Sequence, residues 1–148
     1  MSWKDLENEQ PELAAFGAER FRRSGVAYLA TVRKDGSPRV HPVTPIVGQG
    51  RLFLFMEPTS PKGHDLRRDG RYALHCSVSD SSGDSGEFYV SGRATFQDDP
   101  AVRRLAAGLA SYTPADRYVL FELDVESAAS TVYTDGQPVR QSWKAAAG

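Results

Sequence analysis

LFLFMEPTSPKGHDLRRDGRYAL, residues 52–74, is the stretch that decides the fold. It begins with an apolar run typical of a buried strand, continues through a polar turn, and passes through a short basic helix into a second β-rich run. This order places Ser60 and Lys62 where a strand gives way to a helix. Backbone N–H groups, a hydroxyl and an ammonium converge at such a point and suit a phosphate. Ser60 also suits a helix N-cap, which uses the same geometry.

The surrounding chain predicts one domain of mainly β structure. Its 148 residues are 40% hydrophobic and 25% charged, as in an ordinary globular protein. The net charge of −1 gives no basic field of the kind that nucleic-acid binding requires. No apolar run reaches the roughly 20 residues that a membrane-spanning helix needs. The N-terminus is acidic and polar, unlike a signal peptide, so we expect a cytoplasmic location.

Hairpin signals dominate the secondary-structure pattern. We expect helices over residues 11–23, 62–68 and about 100–108, and strands over 26–32, 38–47, 51–56, 71–78, 87–97 and 118–130. Turns at Asp35-Gly36 and Asp135-Gly136 connect strands directly, which indicates an antiparallel sheet in a small barrel. Gly92 lies inside a strand pattern and predicts a bulge or a close backbone approach. Residues 1–10 and 138–148 are predicted to be flexible tails.

Several other residues could carry chemistry. His41, His64 and His75 do not have the spacing of a metal site, so no metal is predicted. Cys76, the only cysteine, is expected to be a small buried residue of a strand. The basic run Arg20, Arg22 and Arg23 lies near a helix C-terminus, where positive charge is favourable. Its alternative role is an anchor for an acidic cofactor tail.

Two segments resemble the pyridoxamine 5'-phosphate oxidase-like flavoproteins, the FMN-binding split-barrel family. ATVRKDGSPRVHPV, residues 30–43, looks like the opening hairpin of that family, and FMEPTSPKGHDLRRDGRYAL, residues 55–74, looks like its phosphate-binding segment. The similarity extends from about residue 11 to 125 and is clearest over 28–76. It implies a six-stranded antiparallel split β-barrel with peripheral helices, spanning residues 1–148. It also implies a homodimer with a cofactor site at the subunit interface.

The resemblance also implies a set of cofactor-binding residues. Arg39, Ser60 and Lys62 match the family's phosphate-binding arginine, serine and lysine. The strand that follows the arginine would lie along the flavin ring, next to the end of the preceding apolar strand; these ring-side residues are Val40, His41, Pro42, Val43, Thr44, Met56 and Glu57. Trp143 either covers a flavin ring, of its own chain or of a partner, or anchors the C-terminal segment. No catalytic residue is identified.

The chain departs from the true oxidase pattern at three places. Thr44 and Pro61 occupy positions where the oxidase has a lysine and an arginine, and the C-terminal segment lacks the oxidase's arginine- and histidine-bearing motif. These departures argue against pyridoxine phosphate as a substrate. The chain is similar to the shorter relatives, which implies an FMN-dependent oxidoreductase that transfers hydride to or from a small molecule. The alternatives are a reductase that uses the deazaflavin F420, and a non-catalytic carrier or sensor of flavin or haem.

Overall fold

Nine strands and four helices form in the computed structural model, which describes residues 2–79, 81–82 and 85–146. In chain order they are α1 (Trp3–Glu9), α2 (Pro11–Ser24), β1 (Ala27–Val32), β2 (Pro38–Val43), β3 (Ile46–Gly48), β4 (Arg51–Met56), α3 (Pro61–Arg68), β5 (Arg71–Cys76), β6 (Glu87–Gln97), α4 (Pro100–Leu109), β7 (Val119–Leu123), β8 (Ser127–Thr134) and β9 (Gln137–Lys144).

Strand β6 joins the two halves of the sheet. Its first half pairs with β5 on one side and β8 on the other, and its second half pairs with β7. The strand order is β2-β1-β5-β6-β7-β4-β3, β9 pairs with β8, and every pairing is antiparallel. The mainly β, split-barrel class predicted from the sequence is therefore confirmed.

The main core is closed by the two N-terminal helices. The rings of Trp3, Phe21 and Phe88 pack against one another with centroids 5.4–6.2 Å apart. A second, smaller cluster lies beneath α4 and includes Phe53, Phe55 and Ala106. Burial of these aromatic side chains fixes the helices against the sheet, since each contributes a large apolar area.

The strand predicted over residues 38–47 is divided in two. β2 ends at Val43 and β3 begins at Ile46, because Pro45 lacks the N–H that a continuous ladder would need. Pro42 is accommodated because β2 lies at the end of the strand order and has β1 as its partner. Pro42 therefore lies on an edge strand of the sheet.

The expected flexible tails, residues 1–10 and 138–148, instead contain α1 and most of β9. Trp3, Leu6 and Trp143 are buried, so both segments contribute to the core. The predicted count of six strands is also too low for the described residues. Most of β9 faces solvent and shows no apolar alternation, so its sequence carries little strand signal.

Gly92 is a point of close backbone approach, as the sequence predicts. A Cβ atom at this position would lie 2.1 Å from the carbonyl oxygen of Asp124. The neighbouring residues of β6 hold the same turn, since Arg93 and Ser91 accept hydrogen bonds from the N–H groups of Asp124 and Glu126, both at 2.8 Å. The absence of a side chain at Gly92 therefore allows the chain to turn from β7 into β8.

Candidate functional site

The N-terminus of α3 is built by Ser60 and Gly63. Ser60 is the N-cap, and its Oγ accepts a hydrogen bond of 3.3 Å from the N–H of Gly63. A Cβ atom at Gly63 would lie 2.9 Å from that Oγ and 3.2 Å from the sulfur of Met56. The helix begins at Pro61, one residue before the predicted start. The cap, the glycine and Met56 thus bring the end of β4 and the helix start into close contact.

Asp65 connects α3 to the β1–β2 hairpin. Its Oδ2 accepts hydrogen bonds of 2.7 Å from Arg39 Nε and from Thr31 Oγ1, and its Oδ1 accepts one of 3.0 Å from Arg68 Nη2. Burial raises the pKa of this carboxyl, but the three hydrogen bonds outweigh burial and hold the pKa below its ordinary value. Asp65 is therefore an ionised anchor for two arginines.

Arg39 is fixed in position with part of its guanidinium available. Its Nε is bound to Asp65, and no hydrogen bond to either Nη nitrogen is found among the described residues. The side chain is 26% exposed and lines a cavity of about 680 Å³. The other residues around this cavity are Arg33, Lys34, Asp35, Pro61, His64, Asp65 and Arg68. We call it the arginine cavity.

A second groove, of about 290 Å³, lies along the end of β2 and contains Lys62. Its walls are Pro42, Val43, Thr44, Phe55, Met56, Glu57, Lys62, Tyr112 and Tyr118. Burial lowers the pKa of Lys62, and no ion pair to it is found among the described residues. This groove, called the strand groove, combines several apolar side chains with two tyrosines, the cation of Lys62 and the carboxylate of Glu57.

His41 lies within the electrostatic influence of both phosphate candidates. In the pairing with β1, Arg39 is opposite Thr31 and His41 is opposite Leu29, so the two side chains share one face of the sheet. Burial lowers the pKa of His41, and the positive charges of Lys62 and Arg39 lower it further. Val40 and Pro42 point to the opposite, exposed face. The structure thus gathers Arg39, His41 and Lys62 at one edge.

Glu57 and Trp143 have other neighbours. Glu57 lines the strand groove, where its carboxylate accepts hydrogen bonds of 2.9 and 3.0 Å from Arg117 Nε. These bonds hold the pKa of Glu57 below its ordinary value. Trp143 is buried in the main core opposite Ala128 and lines neither cavity. This placement matches the alternative of an anchor for the C-terminal segment, and a role against a partner's ring stays a prediction.

The remaining sequence candidates are dispersed. His64 is exposed at the arginine cavity, whereas the ring of His75 stacks on Tyr89 with centroids 6.1 Å apart. Cys76 is buried, as expected for a small core residue. Arg20 is buried too, and its Nη2 donates to the carbonyl of Ser77 at 2.9 Å. Arg20 therefore cannot serve the predicted basic run as an exposed anion anchor.

Sequence reasoning missed the residues that complete both cavities. Asp65 is the only carboxylate between Ser60 and Arg68. Its neighbours in the sequence include four basic residues, so an ion pair could have been expected here; these residues are Lys62, His64, Arg67 and Arg68. Tyr112 and Tyr118 reach the strand groove from the segment between α4 and β7, which is distant in sequence. No local pattern indicates that contact.

The described residues contain neither a metal-binding cluster nor a membrane-spanning helix. No group of three or more His, Cys, Asp or Glu side chains is arranged to hold a metal ion. None of the helices is both long enough and apolar enough to span a membrane.

Comparisons with known proteins agree with this architecture. A family model described as pyridoxamine 5'-phosphate oxidase matches residues 13–132. A haem-binding protein from Mycobacterium smegmatis is similar in structure, with a TM-score of 0.67, 20% identity and coverage of 88% of this chain. This chain spans 57% of the length of that protein. No curated protein sequence matched the chain.

Two further solved structures match over most of both chains. A NimC/NimA family protein from Clostridium acetobutylicum has a TM-score of 0.69 and 18% identity, covering 94% of this chain and 98% of that one. PhzG from Burkholderia lata, in complex with tetrahydrophenazine-1-carboxylic acid, has a TM-score of 0.66 and 17% identity, covering 96% and 87%. Identities this low show a shared fold. Because the family model covers most of the described sequence, the chain belongs to the pyridoxamine 5'-phosphate oxidase family.

Proposed function

We propose that this protein binds FMN and acts as an oxidoreductase that transfers hydride to or from a small molecule. The observation that carries the proposal is Arg39, which Asp65 holds in place while its two Nη nitrogens stay available. Lys62 and the N-terminus of α3 lie at the same edge of the fold. Two cations and a helix N-terminus are a donor set that fits a phosphate dianion.

The phosphate of FMN would be bound by Arg39, Ser60 and Lys62. Ser60 already accepts a hydrogen bond from Gly63, and its hydroxyl hydrogen is available to donate to a phosphate oxygen. The ring would lie along residues 40–44, of which Pro42, Val43 and Thr44 line the strand groove together with Met56 and Glu57. Bound FMN supplies the hydride transfer, and the chain supplies binding and orientation.

The chain's own residues would act mainly by position and charge. Burial, together with the positive charges of Lys62 and Arg39, lowers the pKa of His41, so His41 can offer a ring nitrogen without adding positive charge. Tyr112 and Tyr118 form an aromatic wall of the strand groove, against which a flat substrate could stack. No protein acid or base is required in this proposal.

Purified protein incubated with excess FMN and then desalted should retain about one flavin per chain. Absorbance at the flavin bands measures retention, and anaerobic reduction followed by candidate acceptors tests turnover. Retention without turnover for any acceptor would favour a carrier role. A failure to retain flavin would overturn the FMN assignment.

Two alternatives share this site. F420 presents a phosphate and a flat tricyclic ring to the same residues, so its reductases are the second candidate. A haem carrier or sensor is the third, supported by the likeness to the mycobacterial haem-binding protein. A Soret band after haem addition, lost when His41, His64 and His75 are all replaced, would indicate haem ligation.

We also propose that the protein forms a homodimer through the outer face of β1 and β2. Tyr28 and Val40, 46% and 67% exposed, lie on this face with Ala30 and Pro42. Exposed apolar side chains in neighbouring positions are typical of an interface. Sedimentation equilibrium should give twice the chain mass of 16.2 kDa. Val40→Lys should shift the protein toward monomer, and a monomeric wild type would contradict the proposal.

A further inference from the structure

A second basic cavity lies beside Arg68 and shares no lining residue with the strand groove. Its volume is about 480 Å³. Five cationic side chains line it, with Asp69 as the one carboxylate among the lining residues; the cations are Arg33, Lys34, Arg68, Arg71 and Arg93. We call this cavity the basic groove.

Two of these cations are held in place by the protein. Arg68 Nη2 donates to the carbonyl of Val32 at 2.8 Å and to Asp65 at 3.0 Å. Arg71 donates to Asp69 through Nε at 3.1 Å and Nη2 at 2.7 Å. Fixed guanidinium groups lose less freedom when an anion binds than mobile ones do.

The other cations have weak or no anionic partners. Arg93 and Glu126 are 3.8 Å apart, and both side chains are more than half exposed. No ion pair to Arg33 or Lys34 is found in the described part of the chain. The groove thus has more positive charge than its own carboxylate neutralises.

The low pKa of Asp69 is consistent with an excess of positive charge in the basic groove. Hydrogen bonds from Arg71, with a smaller effect of the Arg93 charge, lower the pKa of Asp69 to about 2. Asp69 therefore stays ionised at neutral pH, and the four remaining cations still face a concave surface. Cations gathered in a concavity concentrate anions from solution.

The basic groove continues into the arginine cavity. Arg33, Lys34 and Arg68 line both cavities. A ligand that enters at Arg39 could therefore extend past Arg68 toward Arg71 and Arg93 without leaving a basic surface.

We propose that the basic groove binds an oligoanion, a ligand segment with two or more phosphate or carboxylate groups. Several anionic groups match several cations spread around one cavity, which a single phosphate cannot contact together. The segment is either the extension of a molecule whose first phosphate is at Arg39 or a separate molecule. The groove residues differ from the proposed FMN phosphate ligands, so the two proposals can fail independently.

Tripolyphosphate is the probe, and isothermal titration at low salt measures its binding to the full chain. We expect Arg71→Gln combined with Arg93→Gln to weaken binding about tenfold, since two exposed charge-assisted contacts are lost. The matched control is Arg22→Gln combined with Arg104→Gln. These two arginines lie on α2 and α4 and line neither basic cavity. It carries the same loss of charge and should leave binding nearly unchanged.

A second variant tests the same proposal in case the first variant does not fold. Arg33→Gln with Lys34→Gln alters exposed side chains of the β1–β2 turn and leaves the Arg71–Asp69 pair intact. It should weaken tripolyphosphate to a similar degree. Equal weakening in the control variant, or no binding to the wild type, would overturn the proposal. FMN affinity measured on the same variants reports separately on the phosphate site.

Competition identifies the source of the ligand. If protein loaded with FMN still binds tripolyphosphate, the groove accepts a separate molecule. If FMN and tripolyphosphate exclude each other while the groove variants still weaken tripolyphosphate, the oligoanion belongs to one molecule that begins at Arg39.

Discussion

Replacing Arg39 and Lys62 together with alanine should weaken FMN binding by roughly 100-fold to 10,000-fold. Each charge-assisted contact to a phosphate contributes about 1.5–3 kcal/mol, and two such contacts are lost. Fluorescence titration of FMN against the variant and the wild type measures the change. The salt dependence of binding should also fall, because fewer cations interact with the phosphate.

The control for this variant must separate binding from folding. Arg39→Ala removes one partner of the buried Asp65, although Arg68 and Thr31 remain. Lys62→Met keeps the apolar stem, breaks no observed ion pair and should still weaken FMN binding about tenfold. It should also raise the pKa of His41, measured by NMR, because a neighbouring cation is removed. Unchanged FMN affinity in a folded double variant would refute the phosphate assignment.

Gly92→Ala should reduce the free energy of unfolding by about 2–4 kcal/mol. The added Cβ would meet the backbone of Asp124 and Glu126, which cannot rotate away as a side chain can. Overpacking of this kind costs about 1–3 kcal/mol. The displaced Asp124 carbonyl also accepts a 2.7 Å hydrogen bond from the buried Tyr72, whose loss adds about 1 kcal/mol. Urea denaturation measures the difference.

Gly108→Ala is the matched control. Gly108 lies in α4, and a Cβ there would have no atom within 4 Å. Alanine at this position should stabilise the protein by about 0.5–1 kcal/mol, because glycine is unfavourable within a helix. A Gly92→Ala variant as stable as Gly108→Ala would show that the turn after β7 can move aside.

The sequence predicted the parts of the fold that local patterns determine. Residues 52–74 form a strand, a capped helix and a strand in the expected order, since apolar runs and the Ser60 cap act over short distances. β6 matches its predicted bounds of 87–97. The edge position of β2 accommodates Pro42, because proline cannot donate to a ladder.

The candidate site was only partly predictable, because its contacts join distant segments. Asp65 meets Arg39 and Thr31 across 26 and 34 residues, and Tyr118 reaches the strand groove from the segment that precedes β7. Local charge around Asp65 indicates an ion pair, but the sequence spacing does not indicate which distant residues meet it. The tail predictions differed for a related reason: a single buried side chain, Trp143, holds a strand that is otherwise polar and exposed.

Asp65 lowers the entropy cost of anion binding at this site, because it orders two arginine side chains beforehand. Fixing an arginine side chain takes about 2 kcal/mol of rotamer entropy. The three hydrogen bonds to this carboxylate order Arg39 and Arg68 during folding, before any ligand arrives. If the proposed phosphate site is correct, an incoming phosphate would meet two arginines that are already ordered, so binding would need little rearrangement of these side chains.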